Sequence, residues 1–402
     1  MNRPLVSVVV VSRHRPEELR RCVRALDYQT YGRFEVVLVT DTKTSQEIAD
    51  LVPIDRVKHA VCGEANISKA RNIGIEISSG EVVAFIDDDA IAEPTWLQHL
   101  IAPFEDQSVG ASGGFVRGRN GISFQWQAEE ITSDGRSHLV DVTETTVPQI
   151  DPNKAIKTQG TNCAFRREAL VELSGFDENY HFYLDETDLN IRLTRAGWRT
   201  AIVPLAEVQH GYAASSMRGQ DRRPKSLFQI GASQSYFGKK NGRPEHELDV
   251  LRKEQKHRLE SALIGGLIEP SDVGRLQADL ELGIEDGRSR VELPARDWAP
   301  APEFNVYQLD GAAKAHRFVS GRWLSRRRVY ERAKELADQG FPCTAIVLSV
   351  TALFHKRYFH SDGYWVQSGG IFGKSTRGQA FWSWYRHSTR VAEEQKQLKR
   401  TR

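Results

Sequence analysis

Val82-Val83-Ala84-Phe85-Ile86-Asp87-Asp88-Asp89 is an apolar run that ends in three adjacent carboxylates. The apolar part reads as a strand inside a parallel sheet, buried on both faces. Two unit charges about 4 Å apart repel by roughly 4 kcal/mol near a protein surface, so acids stacked at the mouth of a buried strand favour a bound cation. In an extended segment residues i and i+2 point to one side. Asp87 and Asp89 therefore share a face while Asp88 looks elsewhere. Hard carboxylate oxygens suit Mg²⁺ or Mn²⁺, ions that commonly bridge carboxylates to substrate phosphates. An acidic turn closing the strand is the plain alternative. The tripeptide alone leaves the two readings level, and its surroundings decide.

Upstream, Leu5 to Val11 is another β-branched run, broken by Ser12-Arg13-His14-Arg15-Pro16. A helix follows, with Pro16 in its first turn and Leu19, Val23 and Leu26 on one face. Phe34 to Val39 is a second strand and ends at Thr40-Asp41. Ser68 to Ser78 reads as a helix with Ile73 and Ile77 on its apolar stripe, and Gly80 lies past its end. This alternation predicts a mostly parallel sheet with helices on both faces. In such sheets ligands bind outside the carboxyl ends of the strands, where Ser12, Asp41 and Asp87 to Asp89 all fall.

Downstream, Val109 to Phe115 continues the pattern, and Gly118 to about Lys157 is a polar, variable connection, with Phe124 and Trp126, expected to line an acceptor site. Order returns at Thr158 to Arg166. A helix from Arg167, another over about Glu186 to Ala196 and a strand over Thr200 to Val203 follow. Residues 226–287 are helical and charge-laced, and Pro294 to Pro302 reads as a linker. Phe304 to about Ala380 suggests a small α/β unit, with a helix at Arg326 to Asp338 and a strand at Thr344 to Val350. The charged tail from Glu393 to Arg402 is expected to fray. The predicted divisions are 1–225, 226–302 and 303–402.

Of the 402 residues, 55 are Lys or Arg and 53 are Asp or Glu, so nothing in the charge balance predicts a nucleic-acid partner. Cys22, Cys62, Cys163 and Cys343 lack metal or disulfide spacing and read as reduced thiols. Neither a signal peptide nor a run of about 20 apolar residues is present. The expectation is a cytoplasmic protein with no transmembrane segment and at most peripheral contact at the inner face of a membrane.

Ala65-Asn66-Ile67-Ser68-Lys69-Ala70-Arg71-Asn72-Ile73-Gly74, Ser79-Gly80-Glu81 and the Asp triplet, in this order, resemble glycosyltransferase family 2. Arg15-Pro16-Glu17-Glu18-Leu19, Gly160 to Arg167, Gly175-Phe176-Asp177-Glu178 and Asp185-Glu186-Thr187-Asp188-Leu189 extend the match over about residues 4–215. The resemblance implies a GT-A fold. It also implies inverting transfer of a sugar from a nucleotide-diphospho-sugar, a UDP-sugar first, to a hydroxyl of a saccharide, lipid-linked or protein-glycan acceptor in surface polysaccharide or glycoconjugate synthesis. By that resemblance Asp87 and Asp89 hold Mn²⁺ or Mg²⁺, His210 joins the metal shell or touches the diphosphate, with a structural histidine as the alternative, and Ser12, Asp41, Arg71, Asp87 and Asp88 face the donor nucleotide. For Arg71 a surface pairing with Glu76 or Glu81 is the alternative. Glu186 is the expected catalytic base and Asp185 the second candidate, in reversed order relative to the family's usual Glu-Asp. For this acid pair the plain alternative is a helix cap and a first-turn acid.

The basic stretch Arg218, Arg222, Arg223 and Lys225 either closes over the diphosphate or is a solvated loop. Gln220-Asp221-Arg222-Arg223-Pro224 lacks the Trp of processive synthases, so a non-processive enzyme is expected. Gly369 to Ser375 imitates a phosphate loop but has Ser368 where a glycine is required. A nucleotidyl- or phosphotransferase, or a non-catalytic sugar-nucleotide-binding protein, are the competing readings.

Overall fold

The computed structural model describes residues 3–48, 52, 54–132, 136–211, 213–214, 217–219, 221, 223–242, 244–309 and 314–402. Gln220 and Arg222 of the basic stretch lie outside the described residues.

The first half alternates as the hydrophobic pattern requires: β1 (Val6–Ser12), α1 (Pro16–Leu26), β2 (Phe34–Thr40), α2 (Thr42–Glu47), β3 (Lys58–Val61), α3 (Ile67–Ile77) and β4 (Val82–Asp87). After the Asp triplet come β5 (Ala90–Ala92), α4 (Trp96–Ile101), β6 (Val109–Arg117) and β7 (Phe124–Trp126). The polar connection is not structureless. It folds into β8 (Glu129–Thr132), β9 (Ser137–Leu139) and β10 (Lys154–Lys157), which form a small antiparallel sheet in the order β10-β8-β9. Then follow β11 (Asn162–Arg166), α5 (Arg167–Glu172), α6 (Asp185–Arg195) and β12 (Arg199–His210).

The main sheet runs β3-β2-β1-β4-β11-β6-β12-β5, with β7 paired to β6. Strands β1 to β4 are parallel, β11 is antiparallel to both β4 and β6, and β12 is parallel to β6. Two antiparallel steps restore the direction, so the carboxyl end of β12 returns to the edge that carries the ends of β1, β2 and β4. Strand alternation divides the core between two faces. Val6, Val8 and Val10 pack with α1 on one face, while Val9, Val83 and Phe85 pack with Ile75, Leu189 and Leu193 on the other. The stripe of α3 differs from the one expected. Its buried face carries Ala70, Arg71, Gly74 and Ile75, whereas Ile73 and Ile77 are only half-buried.

Residues 226–302 supply α7 (Phe228–Lys240), α8 (Pro244–Ile264) and α9 (Pro270–Ser289). Gly283 lets α9 approach the Phe228 carbonyl at the start of α7 more closely than a Cβ permits. The 294–302 segment is not a free linker. Arg296 pairs with Glu178 at 2.6 Å and with Glu76 at 2.9 Å, and Ser79 donates to the Pro302 carbonyl at 2.6 Å.

The last segment contains β13 (Arg317–Arg322), α10 (Arg326–Asp338), β14 (Cys343–Ser349), β15 (Lys356–Phe359), β16 (Trp365–Gly370) and α11 (His387–Leu398), with sheet order β13-β14-β16-β15. Contrary to expectation, the tail does not fray. Glu394 and Leu398 are buried, and Arg402 clamps Glu93 with two hydrogen bonds of 2.6 and 3.0 Å. No helix among the described residues is long and apolar enough to cross a membrane.

Asn162 pins the reversal at the sheet centre. Its amide donates to the Phe115 and Ala206 carbonyls at 2.9 and 2.8 Å, and its oxygen accepts from the Trp96 indole at 2.7 Å. Replacement by alanine strands three buried groups, so Asn162→Ala is expected to cost about 2–4 kcal/mol. A urea-unfolding midpoint unchanged from wild type would contradict this role.

Candidate active site

Asp87 ends β4, and the chain then turns back at once. Ala90 of β5 pairs with His210 of β12, and the Gly211 N–H donates to the Asp89 carbonyl at 2.8 Å. This register sets the His210 ring beside the Asp89 carboxylate, with Nε2 3.2 Å from Oδ1. One ligand atom from each of Asp87, Asp89 and His210 lies within 4.8 Å of the others. Octahedral Mg²⁺ bonds of about 2.1 Å place ligand atoms roughly 3 to 4 Å apart, so two hard oxygens and an imidazole at this spacing fit such an ion. Gln125 of β7 offers its Oε1 as acceptor to His210 Nδ1 at 3.0 Å, and Trp126 lies against the ring at 5.7 Å between centroids. Gln125 Oε1 can take the Nδ1 proton, which orients the ring with Nε2 toward the cluster. Gln125 was not singled out in the sequence; it sits in the polar connection, and only the β6–β7 pairing brings it here.

The three carboxylates differ sharply. Burial acts to raise the Asp89 carboxyl, but His210 and the Ala213 N–H at 2.6 Å outweigh it and hold it at about 2. Burial pushes Asp88 up to about 7, with Asp89 and Asp87 adding to the push. Arg15 at 2.9 Å and the Ser12 hydroxyl at 2.8 Å oppose that rise. Asp88 thus faces α1, away from the Asp87–Asp89–His210 cluster, and takes Ser12 with it.

Arg71 is buried on α3 and reaches across to α6. Nη1 donates to Asp185, and Nη2 is 3.7 Å from Asp87. It also lies over the Phe176 ring at 5.2 Å, and Gly160 leaves the room that its guanidinium occupies. The surface pairing with Glu76 or Glu81 is not formed, since Glu76 belongs to Arg296 and Glu81 accepts from the Leu5 N–H. Asp185 opens α6 as its first helical residue. The capping position is Leu184, which, like Tyr183, has a positive φ. Burial and the neighbouring Glu186 carboxylate push the Asp185 carboxyl well up, against the pull of Arg71. Glu186 is half-buried and more open than Asp185. The start of α6 is braced from α7, where Lys240 pairs with Asp188 at 2.8 Å and with Asp177 at 2.9 Å.

Asp41 is the N-cap of α2. It accepts from the Lys43 and Thr44 N–H groups at 3.0 and 3.2 Å, the Thr44 hydroxyl at 2.5 Å and the His14 N–H at 2.8 Å. These donors use its acceptor sites. A cavity of about 630 Å³ opens beside Asp89, lined by Glu18, Arg21, Arg119, Asp221, Arg223 and Lys225.

The family model Glycosyl transferase family 2 matches residues 7–174. A glucosyl-dolichyl phosphate glucuronosyltransferase of Haloferax volcanii is 30% identical over 224 residues, covering 51% of this chain and 68% of that protein. The chain belongs to glycosyl transferase family 2. An O-antigen biosynthesis protein of Myxococcus xanthus is 29% identical over 234 residues, 53% of this chain and 18% of its own length. A mannosyltransferase of Pyrobaculum calidifontis, solved with GDP-Man and Mn²⁺, superposes with a TM-score of 0.42 at 17% identity, over 71% of this chain and 88% of that one. This family-2 enzyme is a glycosyltransferase with the GT-A fold, a mostly parallel sheet with helices and additional C-terminal elements.

The cap geometry of Asp41 gives a pH signature. Burial opposes ionisation, yet the Thr44 hydroxyl, the His14 and Thr44 N–H groups and the His14 ring hold the carboxyl at about 2, below its ordinary 3.8. A depressed acid stabilises the fold above its unfolded value and loses that contribution as pH falls through the folded one. Asp41→Ala is expected to lower stability by about 1–2 kcal/mol at neutral pH. The gap to wild type closes between pH 3.8 and 2. Urea midpoints whose difference stays constant down to pH 2.5 would contradict the cap.

Proposed function

We propose that this glycosyltransferase is inverting, non-processive and dependent on Mn²⁺ or Mg²⁺, and that it moves a sugar from a nucleotide-diphospho-sugar to an acceptor hydroxyl. The observation that carries the reading is the single bridge of Arg71, which sets the Asp185–Glu186 pair beside the Asp87–Asp89–His210 cluster. Asp87, Asp89 and His210 are the assigned metal ligands. A divalent ion held there offsets the negative charge that builds on a departing nucleoside diphosphate.

In the proposed reaction the acceptor oxygen attacks the anomeric carbon from the face opposite the diphosphate. A new C–O bond forms, the bond to the diphosphate oxygen breaks, and the electron pair leaves with that oxygen. Glu186 takes the acceptor proton. It is the open member of the pair, while Asp185 is engaged by Arg71 and keeps Glu186 in place. Arg21, Arg119, Arg223 and Lys225 around the cavity suit a diphosphate, which supports a closing role for the basic stretch. Ser12 and Asp88 act on the donor site through Arg15, which also holds the Ala214 carbonyl in the loop after β12. Asp41 holds the α2 turn beside the nucleotide rather than offering a vacant acceptor to its base. UDP-sugars are the first donors to test.

The similar proteins named for dolichyl phosphate and O-antigen chemistry support an acceptor from glycoconjugate or polysaccharide synthesis. Four buried, unpaired thiols suit a reducing compartment, so we assign a cytoplasmic site of action.

Glu186→Gln is expected to lower kcat by at least about 100-fold while nucleotide binding stays as in wild type. Asp185→Asn should retain more activity than Glu186→Gln. Equal turnover of wild type and Glu186→Gln, in release of nucleotide from a donor that wild type uses, would remove Glu186 as the base.

A further inference from the structure

Strands β14 and β16 are parallel, so the loops that leave them, 350–355 and 371–386, emerge from one end of the small sheet. Gly370 and Gly373 let the second loop press onto the Thr351 and Leu353 carbonyls, and Arg390 ties the Gly373 carbonyl at 2.7 Å. The stretch that imitated a phosphate loop is therefore a loop-packing device. No helix starts behind it until His387.

The joined loops display large apolar groups to solvent: Val350 at 70%, Leu353 at 64%, Phe381 at 73% and Trp384 at 75% exposure. Trp382 and Trp384 meet edge to face at 4.6 Å, and Phe354 meets Phe381 at 5.4 Å. These groups gather on two loops at one end of the small sheet and partly pair with one another, unlike singly scattered surface residues. Around this rim stand Lys374, Arg377 and Arg386, and no carboxylate occurs between Asp362 and Glu393 or between Ser349 and His360.

We propose that this rim is a membrane-docking surface for an anionic lipid interface. Aromatic rings and aliphatic tips enter the headgroup layer while the flanking cations stay with lipid phosphates. Two features select lipid over a saccharide chain. Aliphatic Val350 and Leu353 offer no stacking face, and the rim lacks the carboxylates that accept sugar hydroxyls. Arg377 donates to Ser123 at 3.2 Å, in the same β6–β7 turn that sends Arg119 into the cavity beside Asp89. A membrane under the rim thus lies next to the mouth of the active site, where an acceptor carried on a lipid phosphate enters.

The test is co-sedimentation of the whole chain with vesicles of phosphatidylcholine alone and with vesicles carrying about 30% phosphatidylglycerol, whose negative surface attracts basic side chains. Wild type is expected to pellet with the anionic vesicles, and Phe381→Ala/Trp384→Ala to lose about tenfold in partitioning. The Lys374→Glu/Arg386→Glu pair, the first half-buried and the second exposed, should abolish the preference for phosphatidylglycerol. Mn²⁺ binding measured in parallel stays at the wild-type level in both variants and separates this result from failure of the active-site reading. Wild type that stays in the supernatant with every vesicle overturns the proposal. So does an aromatic double variant that pellets as well as wild type, or one that loses binding only to dextran oligosaccharides.

Discussion

Arg71 is the constraint on which the site depends. A guanidinium this deeply buried cannot shed its proton, so the fold must surround it with negative charge. It does so with Asp185 from one side and Asp87 from the other. Removing one partner of such a pair is costlier than the pair is favourable, because it strands a buried charge. The bridge therefore fixes a distance. The amino end of α6 cannot drift from the carboxyl end of β4, and the acid pair stays beside the Asp87–Asp89–His210 cluster. The glycine at position 160 and the Phe176 ring make room for and cover the guanidinium.

The other half of the site is held by backbone register. The reversal after Asp89 pairs Ala90 with His210, and Gly211 approaches the Asp89 carbonyl as a residue with a side chain could not without adjustment. The β6–β7 turn then brings Gln125 onto the imidazole. The C-terminal segment closes this arrangement from outside. Arg357 accepts from Gln209 at 2.7 Å and donates its N–H to the Asn120 carbonyl at 2.8 Å, on both sides of the hairpin. Residues far from the chemistry thus set the frame of the cluster.

What the sequence made legible was local. The β-branched runs at β1 and β4, the amphipathic face of α1 and the position of acids at strand ends all follow from patterns within a dozen residues. The misread features are long-range. For Arg71, placed near the donor, the only ion-pair partners the sequence suggested were Glu76 and Glu81, whereas its partners lie on β4 and α6. Gln125 sits in a polar segment whose strands are three or four residues long, too short for periodicity to mark. The charged tail was expected to fray, yet the charge of Arg402 is matched by Glu93, more than 300 positions away. Small residues such as Gly74 and Gly283 define close packing without any hydrophobic signal.

The proposed reaction depends on a divalent ion at the end of β4 beside a nucleoside diphosphate. Calorimetric titration of UDP, GDP, CDP and dTDP, with and without Mn²⁺, on wild type and Asp89→Asn tests it most directly. One nucleotide is expected to bind only when Mn²⁺ is present, and Asp89→Asn to weaken this binding by at least about tenfold. Nucleotide binding that is indifferent to both the ion and Asp89 would contradict this dependence.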